Sequence, residues 1–108
     1  MILHFIESPV YSQQIDELLS PEDHRQLQLY LLQFPDQGDI IKGSGGLRKL
    51  RWAGSGRGKR GGIGVIYYLW HRDTAFMLTA YPKNEQTDLT PAQTRVLKQL
   101  IEEYTNER

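Results

Sequence analysis

Apolar and polar residues alternate along the chain with several periods, and each period predicts an element. Residues 2–6 (ILHFI) are a short apolar run, read as a strand. Ser8 and Pro9 then give a helix cap and a first-turn proline, and Val10, Tyr11, Ile15, Leu18 and Leu19 follow near helical spacing, which predicts a first helix ending at about Leu19. Ser20, Pro21, Glu22 and Asp23 repeat the start signal, with two acids against the positive end of the helix dipole. Leu27, Tyr30, Leu31 and Phe34 form one stripe of a second helix, which Pro35 stops. So short a link makes the two a helical hairpin. Residues 36–46 are polar and glycine-rich and read as a loop.

The second half changes period. Residues 47–52 (LRKLRW) alternate as a strand, with Leu47, Lys49 and Arg51 on one face and Arg48, Leu50 and Trp52 on the other. Residues 53–62 are a glycine-rich turn, and residues 63–70 (IGVIYYLW) are rich in β-branched and aromatic residues, as in a central strand. A tight turn at residues 71–73 leads to a strand over 74–80, then a polar loop over 81–89. Thr90, Pro91 and Gln93 form a capping box for a last helix, whose apolar face is Val96, Leu97, Leu100, Ile101 and Tyr104. The order β-α-α-β-β-β-α predicts an α+β fold. A helical hairpin and a C-terminal helix pack on an antiparallel sheet, and the first strand adds to that sheet. With no repeat and no linker, residues 1–108 read as one domain.

Composition removes several chemistries. The absence of cysteine excludes a disulfide framework, a thiolate metal site and cysteine catalysis, and suits the cytoplasm. No apolar run approaches the ~20 residues of a membrane span, and the N-terminus lacks the basic start of a signal peptide. Formal net charge is zero, but the signs are segregated. Residues 7–39 carry seven acids against Arg25 alone, whereas residues 40–72 carry eight of the thirteen basic residues and no acid. Such asymmetry speaks to partners, here a polyanion.

The chemistry on offer sits in that basic stretch and just after it. Gly56, Gly58 and Gly61 match a dinucleotide-binding spacing, but they lie between two strands where that motif needs a strand and a helix. Lys59 is followed by Arg60 and not by Ser or Thr, so a phosphate-binding loop of the nucleoside-triphosphate type is rejected too. A solvated turn is the ordinary reading of such a tip. Its charges, Arg57, Lys59 and Arg60, make it able to follow a phosphate backbone. Lys49 and Arg51 share a strand face, roughly 7 Å apart. Exposed cations usually mean little, but no acid near them in sequence neutralises these two, and a phosphate between them would be held. Tyr81 and Lys83 follow a strand end, within reach of a substrate on the sheet. His4, His24 and His71 are scattered and show no metal-ligand spacing, and there is no nucleophilic serine motif.

The runs GGLRKLR (45–51), GKRGG (58–62), VIYY (65–68), YPKNE (81–85) and DLT (88–90) together resemble the RelE/ParE toxin superfamily, and more closely its HigB-type RelE branch. The resemblance spans essentially the whole chain. It implies a ribosome-dependent messenger-RNA endonuclease, the toxin of a type II toxin–antitoxin pair, which uses no metal or other cofactor. In such toxins the ribose 2′-hydroxyl attacks the adjacent phosphate in the ribosomal A site. Carried over, Lys49 and Arg51 take the two basic strand positions, Lys83 the loop after the last strand, and Tyr81 a less secure catalytic position. Arg48, Arg57, Lys59, Arg60 and Asn84 would face RNA or ribosome. The implied protein partner is a helix-turn-helix antitoxin.

Gly64 departs from the pattern. This branch usually has an Arg immediately before the VIYY-type core, where it contributes to catalysis by binding the scissile phosphate. Glycine here implies either a lost activity or an engineered Arg→Gly change, and on this reading Gly64→Arg restores cleavage. Two other functions fit the same residues: a non-catalytic RNA- or protein-binding module, and a ParE-like gyrase inhibitor.

Overall fold

The computed structural model describes residues 2–53 and 62–105. Strand β1 (His4–Glu7) leads into helices α1 (Pro9–Leu18) and α2 (Pro21–Gln33). The strands β2 (Asp39–Ile40), β3 (Leu47–Trp52), β4 (Ile63–Trp70) and β5 (Thr74–Pro82) follow, and α3 (Pro91–Thr105) closes the chain.

Both early helices start as their sequences dictate. The Ser8 hydroxyl accepts from the Tyr11 N–H at 2.9 Å and donates to the Leu78 carbonyl at 2.8 Å, so the cap also moors α1 to β5. Ser20 caps α2 by accepting from the Asp23 N–H at 3.1 Å, and Phe34 closes that helix just before Pro35.

The sheet order is β1-β5-β4-β3-β2. The meander β3–β4–β5 is antiparallel, as is β2–β3, but β1 runs parallel to β5, so the five-stranded sheet is mixed. Between β1 and β5 the chain crosses one face through α1 and α2, enters the sheet at its far edge as β2, and comes back through β3 and β4, so that β5 lies beside β1. The short β2 falls inside the stretch expected to be loop. Two residues carry no readable period, and their pairing is set by Arg48 and Lys49 opposite.

Helices cover both faces. Tyr11, Ile15, Leu27 and Leu31 of α1 and α2 pack with Leu50, Val65, Tyr67 and Met77 on one side. On the other, Leu47, Ile66, Phe76, Leu78 and Tyr81 pack under Ile101 of α3, with Leu97 and Leu100 partly buried. The expected face of α3 is rotated: Val96 and Tyr104 are 64% and 57% exposed, while Thr105 is buried and donates to the Ile101 carbonyl. No helix among the described residues is long and apolar enough to cross a membrane.

Candidate nucleic-acid interface

The α3-facing side of the sheet brings together Lys49, Arg51, Gly64 and Tyr81 of the residues that the sequence singled out. Alternation along β3 puts Lys49 and Arg51 on the side of Leu47. Across the strands Arg51 lies opposite Gly64, and Gly64 lies opposite Tyr81, so the three form one row. Tyr81 reaches that row through a β-bulge. Ile66 pairs with Thr79 but Tyr67 with Met77, which leaves Leu78 as an extra residue in β5. The extra residue shifts the alternation by one. Without it Tyr81 would share the face of Ala75 and Met77, toward α1.

The Tyr81 ring lies over Gly64. A Cβ at position 64 would stand 2.7 Å from both Cε1 and Cζ of that ring and 3.0 Å from its hydroxyl oxygen. The ring thus fills the space above the glycine. It is 7% exposed, and its hydroxyl donates to the Thr87 carbonyl at 3.2 Å. Burial raises the phenol pKa above its ordinary value, the Asp88 carboxylate raises it further, and Arg51 lowers it. At neutral pH this hydroxyl is therefore protonated and a proton donor.

Lys49 is also occupied. Its ammonium forms an ion pair with the Asp88 carboxylate and donates to the Thr87 carbonyl at 3.3 Å. The sequence suggested no neutralising acid near Lys49. The structure supplies one from 39 residues downstream. Asp88 was visible in the sequence only as part of DLT. The available signal was the capping box: Thr90 and Gln93 exchange hydrogen bonds of 2.9 and 3.1 Å, which fixes Asp88 beside the start of a helix that packs on this face.

The remaining candidates divide. Lys83 directly follows β5, and its N–H donates to the Gly62 carbonyl at 3.0 Å, so it stands beside the residue that precedes β4. Gly62 has φ +72, and a Cβ there would meet the Trp52 carbonyl oxygen at 2.4 Å. Asn84 is exposed on the following turn. Arg48 lies on the opposite face from Lys49 and Arg51. Its guanidinium donates to the Gly38 and Asp36 carbonyls at 2.8 and 3.1 Å, bracing the segment before β2. Arg57, Lys59 and Arg60 lie outside the described residues.

Along the row Arg51 is exposed, whereas Gly64 and Tyr81 are buried. Two hollows among the described residues lie elsewhere. One is an apolar groove of about 470 Å³ between Val10 and the Val96–Leu97 side of α3. The other, about 190 Å³, lies beside Ser44 and Lys98. Spaced cations on a sheet face, with Arg51 exposed, suit a strand lying across them better than an enclosed small molecule.

The family model described as "RelE toxin of RelE / RelB toxin-antitoxin system" matches residues 36–108, the part that contains the row and its loop. Among solved structures, a mutant of Escherichia coli toxin RelE in the free state superposes with a TM-score of 0.52 at 13% identity. The match covers 80% of this chain and 88% of that one, a likeness of fold.

Proposed function

Because the chain belongs to the RelE toxin family, we propose that it is a translation-inhibiting toxin that cuts messenger RNA on the ribosome and is held in check by an antitoxin. The observation that supports this best is the row Arg51–Gly64–Tyr81 with Lys49 one step along the same face. Two cations roughly 7 Å apart can straddle one phosphate. As the ribose 2′-oxygen attacks, the new O–P bond forms, the bond to the 5′-oxygen breaks, and negative charge grows on the phosphoryl oxygens, where Lys49 and Arg51 stabilise it. The proton lost from the 2′-hydroxyl leaves to base or water, and the departing 5′-oxygen takes one up. Tyr81, protonated at neutral pH, and Lys83 are the groups suited to supply it. The products are a cyclic phosphate and a free 5′-hydroxyl. In this reading Asn84 and the 53–62 turn, with Arg57, Lys59 and Arg60, meet RNA or ribosome. The antitoxin is a helix-turn-helix protein.

The test is primer extension on messenger RNA in a ribosome-programmed reaction. Cuts inside translated codons are expected, and Lys49→Ala or Arg51→Ala lowers their rate by about 100-fold or more. Equal cutting by both variants would sink the assignment. Gly64 favours a second reading, a module that holds RNA without cutting it, because that position offers no cation beside Arg51. RNA retained intact by the wild-type chain supports the second reading. Intact RNA with blocked supercoiling points instead to gyrase.

A further inference from the structure

The loop over residues 83–89 folds back on the basic face and engages two of the side chains proposed to receive RNA. Lys49 and Tyr81 both donate to one acceptor, the Thr87 carbonyl, at 3.3 and 3.2 Å. The next residue, Asp88, sets its carboxylate on the Lys49 ammonium. The loop is not placed there by chance packing. The Gln86 amide donates to the Asp88 carbonyl at 2.9 Å and to Gln93 of α3 at 2.6 Å, tying the loop to the capped helix start. Asp88 is thus an anion presented to the sheet cation on a supported backbone.

We propose that Asp88 is a built-in counter-anion, whose carboxylate holds on Lys49 the place of an RNA phosphate, so that RNA binds by exchange and lifts the 83–89 loop from Lys49. This rests on the RNA-facing reading above. A carboxylate and a phosphodiester both offer a cation two oxygens and one negative charge. The exchange is open from the carboxylate side: the Asp88 side chain is 68% exposed, against 20% for Lys49. Exposed pairs are weak, so a phosphate that also touches Arg51 outcompetes a carboxylate that does not. A phosphate lying between the two cations can touch both at once, whereas the Asp88 carboxylate, held on its loop, is paired with Lys49 alone. Asp88 therefore acts as a filter as well as a latch: it sets the affinity threshold that a ligand must pass to open the loop.

The experiment uses a short 2′-O-methyl RNA oligonucleotide, which binds but cannot be cleaved, and the full chain. D88N is expected to bind it about fivefold tighter than wild type. E85Q makes the same change of net charge on the same loop and gives clearly less. In a Lys49→Ala background the gain from D88N disappears, because there is no ammonium left to release. Oligonucleotide binding to the wild-type chain also speeds hydrogen exchange at the backbone N–H groups of residues 83–89. Equal gains from D88N and E85Q, weaker binding by D88N, or a gain that persists without Lys49 would each overturn the proposal. If no variant binds the oligonucleotide, the RNA reading falls, and inorganic pyrophosphate then tests the exchange alone. A shift of the Asp88 carboxyl resonance on its addition supports the exchange, and an unmoved one overturns it.

Discussion

A single hydrogen at position 64 decides where a whole ring sits. Glycine inside a strand is ordinarily unfavourable, and an aromatic neighbour laid across it restores the missing packing. Tyr81 does this, with its ring atoms 2.7 Å from where a Cβ would be. Gly64→Ala is therefore expected to push the ring off its seat and to lower unfolding free energy by about 1–3 kcal/mol in urea titrations. Adding Tyr81→Ala relieves the clash, so the double variant loses less than the two single losses combined. The same contact qualifies what Gly64→Arg would do. An arginine must displace Tyr81 before it can join Arg51, so its gain in cleavage is expected to be larger when Tyr81 is Ala than when it is Tyr. Tyr67 shows the opposite use of a phenol. Its hydroxyl accepts from the Gly38 N–H at 3.0 Å and donates to the Pro35 carbonyl at 2.8 Å, both buried. Tyr67→Phe leaves both groups unpaired and is expected to cost about 1–3 kcal/mol on denaturation, with the sheet otherwise intact. Position 64 stands out in the sequence because a pattern is broken there. The ring above it does not, because a spacing of 17 residues says nothing about which face Tyr81 takes.

Among the elements, β5 shows why. Alternation read directly from residues 74–81 groups Tyr81 with Ala75 and Met77, whereas the extra Leu78 moves it to the side of Arg51. A bulge leaves no mark in the apolar pattern, since Leu78 and Thr79 fit either register. The helix start before α3 is the reverse case. Thr90 and Gln93 were legible as a capping box, and they bond reciprocally as that pattern requires. Thr90→Ala is expected to lower stability by about 1 kcal/mol, and, because the same helix start supports the 83–89 loop, to quicken hydrogen exchange in that loop as well. Arg48 could be read from sequence only as one more cation. Its two carbonyl partners give it a use in bracing the segment before β2, so Arg48→Ala is expected to reduce stability on denaturation; Arg51→Ala should flatten the salt dependence of RNA binding.

For the molecule as a whole, strand and helix types were legible because each buries one face against a neighbour, and the burial dictates the period. The mixed sheet and the rotation of α3 were not, because they depend on contacts between distant segments. Buried phenols add a property of the whole fold. Tyr11, Tyr67 and Tyr81 all have pKa values raised above the ordinary tyrosine value, with burial the largest cause in each. Below about pH 10 the phenols are protonated in the folded and unfolded chain alike, and their contribution to stability is complete. As pH rises beyond that, the unfolded chain releases protons that the fold retains, so stability falls through the raised pKa values. Thermal melting followed from about pH 8 to about pH 11 should show this loss, and Tyr11→Phe should make it shallower.

The parallel pairing of β1 with β5 has a consequence in time. His4 to Glu7 are made some seventy residues before their partners, Thr74 to Met77. The helical hairpin emerges long before the strand that α1 is moored to, and it must wait with its apolar side uncovered. A chain that stops short of β5 can close neither the sheet nor the row that Tyr81 completes. Topology therefore makes assembly all-or-none: a copy cut short of β5 holds the cations of β3 without the strand that completes their row.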